Sequence, residues 1–176
     1  MLLTASTSCV VLVDFQHRLM PAIHQGDQVL SRAARLGQIA RHLQIPVIGT
    51  EQLPTKLGPN TKDIAALCDV TLEKHHFGAC QSGLLETIPE HRPNIVIAGC
   101  EAHVCLLQTA LGLLDHGYKV WVVADAVGSR APADRELALQ RLRQEGARIL
   151  SVEMAAFEWL ESAEHPLFRD VLALIK

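Results

Sequence analysis

IVIAGCEAHVCLLQTALGLLDHGYKVWVVADA, Ile95 to Ala126, decides the fold. It opens on a continuous apolar run, 94–99, of the kind that suits a strand buried on both faces rather than one. A helical pattern follows from Val104, and Gly117 closes it as a C-cap. A second apolar run, Lys119 to Asp125, completes a strand–helix–strand unit.

The same alternation extends in both directions. Cys9 to Asp14, CVVLVD, is an apolar run ending in a carboxylate. Val29, Leu30, Ala33, Ala34, Leu36, Ile39, Ala40 and Leu43 recur at helical spacing after it. IPVIGT is a second strand, a Pro/Gly-rich loop follows, 63–67 suits a short helix, and VTLEK is a third strand ending at Lys74. Beyond the central unit, Pro132 opens a helix that Gly146 stops, ARILS is a sixth strand, and the tail reads as one or two closing helices. Alternating strands and helices of this size predict an α/β layer sandwich, with residues 1–176 as one domain.

Composition narrows the function. About half of the 176 residues are hydrophobic, a fifth are charged, and the formal net charge is −3. That balance offers no electrostatic reason for a nucleic-acid or anionic-membrane partner. The first basic residue is Arg18 and Asp14 breaks the early apolar run, which does not suit a signal peptide. Five cysteines at irregular spacing suit reduced thiols, and the expected setting is cytoplasmic. The first strand is followed by VDFQHRLM, without the glycines of a dinucleotide site. A phosphate-binding P-loop, a G-x-S-x-G elbow and a C-x-x-C pair are missing too. His75 and His76 are neighbours on a strand and point to opposite faces, so no metal and no cofactor are expected.

In open parallel sheets the working site lies beyond the carboxyl ends of the strands. Asp14, Lys74 and the Cys100–Cys105 segment all fall there. Free cysteine is among the most buried residue types, so packing is the plain reading of each thiol. Cys105, however, stands near a helix N-terminus, where the dipole and free N–H groups favour thiolate and provide an oxyanion hole. Asp14 is either a hydrogen-bonding group at the sheet end or a general base. Lys74 would favour both anions. Phe15, Gln16, Phe77 and Trp121 are candidate walls of a small-molecule pocket.

Four ordered motifs resemble the isochorismatase-like cysteine hydrolase family: LVDFQ with Asp14 and Gln16, KHHFGA with Lys74 and Phe77, GCEAHVCLLQTALGLLDHGY with Cys105, and VVADAVGSR. The resemblance spans nearly the whole chain. It implies a three-layer α/β/α sandwich on a six-stranded parallel sheet of order 3-2-1-4-5-6. It implies Cys105 as nucleophile, Asp14 as general base and Lys74 as electrostatic stabiliser. It also implies a cis peptide joining Cys100 to Glu101, with the N–H groups of Glu101 and Cys105 binding an oxyanion and Cys100 belonging to the turn. The segment GTEQLPTKLGPN holds no histidine, which separates the chain from the metal-containing nicotinamidases and aligns it with the isochorismatase-domain subgroup. The implied activity is hydrolysis of a C–N, amide-type bond of a small molecule through a thioester, in a homo-oligomer. The alternative is a non-catalytic or redox-sensing binding protein on the same fold.

Overall fold

β1 (Ser8–Val13) and β4 (Asn94–Cys100) are buried along their whole length. Both lie inside a sheet that has helices on each face, so every side chain of the run meets a core. Val10 and Leu12 of β1 pack with Val29, Ala33 and Leu36 of α1 (Gly26–His42). Cys9, Val11 and Val13 point the other way, toward α5 (Leu107–Asp115) and α6 (Pro132–Gln144). The period-two alternation of a strand thus distributes one apolar run between two cores.

The computed structural model describes residues 1–176. Four further strands complete the sheet: β2 (Val47–Gln52), β3 (Val70–Lys74), β5 (Lys119–Gly128) and β6 (Arg148–Leu150). All six are parallel, in the order β3-β2-β1-β4-β5-β6. Between β2 and β4 lie three short helices, α2 (Pro54–Leu57), α3 (Lys62–Ala65) and α4 (Leu84–Thr87). The chain closes with α7 (Val152–Leu160) and α8 (Phe168–Ile175), which pack with α1. No helix is long and apolar enough to cross a membrane.

Two elements differ from the sequence expectation. β5 runs on to Gly128, because its pairing with β4 shifts register between Ile97 and Gly99 and then resumes as far as Cys100 opposite Gly128. The segment after β4 opens as a π-helical turn, Ala102–Leu106, and becomes α-helical only at Leu107. Gly99 explains how closely the strands meet at this end. Its φ is +151°, and a Cβ there would lie 2.4 Å from the Val13 carbonyl oxygen. A side chain at position 99 would therefore push β4 away from β1 where Asp14 leaves the sheet.

Candidate active site

The strand order brings the candidate residues together. Register places Val13 beside Thr50 on one side and Gly99 on the other, and pairs Gln52 with Lys74. The carboxyl ends of β3, β2, β1 and β4 therefore lie side by side. Lys74 and Asp14 start from strands separated by β2, a gap of roughly 10 Å at two strand spacings. A lysine stem can bridge it, and the Lys74 Nζ reaches 2.7 Å from Asp14 Oδ2. Both side chains are fully buried. Cys105 enters from the segment after β4, close enough that the charges of both act on its thiol. Of the three, Asp14 has no exposed surface, Lys74 has 1 % and Cys105 has 7 %.

Thr50 and Gln52, two residues apart on one face of β2, hold this pair, and their spacing had suggested nothing beyond a strand and a loop. The Thr50 hydroxyl donates to Asp14 Oδ1 at 2.7 Å, and Gln52 Oε1 accepts from Lys74 Nζ at 2.7 Å. Gln52 is itself anchored: its backbone N–H donates to Gln16 Oε1, its carbonyl accepts from Gln16 Nε2, and its Nε2 donates to the His75 carbonyl. Asp14 has a φ of +52°, turning the chain sharply as it leaves β1.

The segment that carries Cys105 is tied down from two sides. Glu101 Oε2 accepts from the backbone N–H and Nε of Arg130, at 3.1 and 3.0 Å. His103 Nδ1 lies 2.9 Å from Ser129 Oγ. The GSR motif, which carried no assigned role in the sequence, therefore holds the turn that presents Cys105. On the other side Thr109 donates to the Cys105 carbonyl and accepts from the Ala79 N–H, joining α5 to the loop after Lys74. The Cys100–Glu101 peptide bond is cis.

Electrostatics corrects one expectation. Burial pushes the Cys105 thiol up to about 12, the negative charge of Asp14 adds to the rise, and Lys74 opposes it. A helix N-terminus favours a thiolate only where its donors are free and the sulfur keeps some solvation. Here the Glu101 carbonyl already accepts from the Val104 and Leu106 N–H groups, and the sulfur is largely desolvated. Loss of solvation outweighs the helix end. Burial likewise raises Cys100, which is wholly enclosed.

Residues 8–154 match the isochorismatase domain. The chain belongs to the isochorismatase domain family. Isochorismatase domain-containing protein 2 of Xenopus laevis is 39% identical over 172 residues, covering 96% of this chain and 83% of that protein. Among solved structures, the MAR1 ribonuclease from Caenorhabditis elegans superposes with a TM-score of 0.94 at 31% identity, covering 99% of this chain and 92% of that one. YcaC from Escherichia coli, an octameric hydrolase of unknown specificity, shares the fold with a TM-score of 0.88 at 24% identity, covering 99% and 87%. The sheet order and its flanking helices are those of the isochorismatase-family hydrolase fold.

The four candidate pocket walls occupy three different places in this isochorismatase-family chain. Phe15 is wholly buried in the α1-side core and presents no surface to a ligand. Gln16 is also wholly buried, and its amide is used up on Gln52 and the Gly58 carbonyl. Trp121 lies at the opposite end of the sheet: it pairs with Val96, donates to Asn94 Oδ1 and lies under the Arg148 guanidinium at 4.6 Å. An apolar run shows which face a residue takes but not how far along the strand it sits from the site. Phe77 is about half exposed, and it lines a surface cavity of about 420 Å³ with His75, His76 and Gln108.

Proposed function

We propose that this protein is a cysteine hydrolase that cleaves a C–N, amide-type bond of a small molecule. One observation carries the reading: a fully buried carboxylate–ammonium pair whose two charges both act on the Cys105 thiol. A thiol pushed up to about 12 cannot lose its proton to water at neutral pH in useful amount. Transfer to Asp14 is different, because the site then holds the same net charge before and after. Asp14 carboxylate, Lys74 ammonium and thiol become carboxylic acid, ammonium and thiolate. Lys74 stops facing one anion and faces the other, so the burial that penalises a lone thiolate is offset.

The thiolate then attacks the carbonyl carbon, and the N–H groups of Glu101 and Cys105 hold the oxyanion. Asp14 returns its proton to the leaving amine, and a water activated by Asp14 cleaves the thioester. Cys100 serves the turn rather than the chemistry. The protein acts as a homo-oligomer, by analogy with the octameric YcaC fold relative, and analytical ultracentrifugation showing a monomer at working concentration would refute that part.

The deciding experiment is a panel of small amides and related acyl compounds screened with wild type and Cys105→Ala. An amide turned over by wild type and left intact by the variant supports the reading. Equal turnover by both overturns it. RNA belongs in the panel because the C. elegans neighbour is a ribonuclease, and RNA cleavage without amide cleavage would replace the C–N assignment.

A further inference from the structure

We propose that Thr50 and Gln52 are positioning residues that set the proton exchange between Cys105 and Asp14. The proposal rests on the hydrolase mechanism above and adds what controls its first step. In that step the S–H bond of Cys105 breaks and an O–H bond forms on Asp14, while the Lys74 ammonium keeps all its protons and changes the anion it faces.

The geometry divides the carboxylate into two roles. Oδ1 is occupied by the Thr50 hydroxyl at 2.7 Å. Oδ2 lies 2.7 Å from the ammonium, yet it is wholly buried and receives no well-aligned hydrogen bond. Oδ2 is therefore the oxygen with room for an incoming proton. The hydroxyl fixes the plane of the carboxylate and, by donating to its charged form, keeps it ionised until the thiol proton arrives, at some cost in its affinity for that proton.

Gln52 acts on the other partner. An ammonium held only by Asp14 would follow the carboxylate. Lys74 has a second short acceptor in Gln52 Oε1, and a distant third in the His76 carbonyl at 3.5 Å. Gln52 Oε1 is neutral, so it holds the ammonium in place without competing for its charge. It is rigid because Gln16 and His75 fix both its backbone and its amide. The ionisable neighbours that bear on the carboxylate are Lys74 from β3 and the thiols of Cys105 and Cys100.

The test measures iodoacetamide alkylation of Cys105 against pH by peptide mass spectrometry, with no substrate required. Wild type should show a plateau across neutral pH, where the internal exchange supplies thiolate, ending in a fall on the acid side. Thr50→Val should move that acid limb up by about one pH unit, the size expected for one hydrogen bond to a charged group, and Thr50→Ser should restore it. Gln52→Met should lower the plateau by about tenfold. A plateau in wild type with both limb and height unchanged in Thr50→Val and Gln52→Met overturns the positioning roles and leaves the hydrolase reading standing. A wild type without a plateau, reacting only as an ordinary raised thiol, overturns the proton exchange itself and this proposal with it. If Thr50→Val does not fold, Thr50→Ala reads the same limb.

Discussion

At Cys105 two effects of opposite sign meet, and their balance decides the chemistry. Burial raises the thiol first and the charge of Asp14 raises it further, while Lys74 pulls it down. Replacing Asp14 with Asn removes the carboxylate's share of the rise and leaves the ammonium without its partner. The Cys105 titration should therefore move below about 12, so thiolate at pH 8 becomes more abundant even as turnover is lost with the proton acceptor. Alkylation rates against pH, followed beside turnover, check both halves. A variant whose thiol titrates no lower than wild type would contradict the account. Asp14, Lys74 and Cys105 were legible as candidates because strand ends and short motifs are local features. Thr50 and Gln52 were not, since a threonine closing a strand and a glutamine beyond it are unremarkable until β3 and β1 are seen on either side of them.

The strands were readable at the scale of elements because parallel strands buried on both faces have continuous apolar runs. What escaped was the irregular end of β4, where the register shift, the π-helical turn and Gly99 occur within a few residues. None leaves a periodic signature. Gly99→Ala tests this end directly. Its φ of +151° disfavours any side chain, and the new Cβ would meet the Val13 carbonyl oxygen and side chain, so relief requires β1 and β4 to separate. A loss of about 3 kcal/mol is expected from the strain and overpacking together. The urea midpoint should fall accordingly, and a midpoint within error of wild type would show that β4 is less constrained than its geometry implies.

For the whole molecule, the five thiols couple stability to alkali. Burial raises Cys9 and Cys105 to about 12, Cys68 and Cys80 to about 11, and Cys100 further still. An unfolded chain loses the same protons near the ordinary value of about 8.5. Above that pH the unfolded state binds fewer protons than the folded one, so the slope of stability against pH is negative. The contribution is complete below about 8.5 and is lost as pH rises toward the folded values. Each buried thiol contributes at most about 1.4 kcal/mol per pH unit to the fall. Urea midpoints in the presence of reductant should be level near pH 7 to 8 and drop by pH 10. Cys9→Val, which removes a thiol outside the Asp14–Lys74–Cys105 cluster, should flatten the drop, and an unchanged slope would argue against this origin.

The amino-acid sequence alone determined the α/β class and the run of strands, and it marked three candidate residues at or just beyond strand ends, because burial period and terminal residue types are written within a dozen positions. Only the tertiary structure decided that Trp121 stands at the far end of the sheet, that Gln16 locks a loop, and that burial raises the Cys105 thiol. Those outcomes depend on strand register and on how much water the packed chain excludes, and both arise between segments distant in sequence.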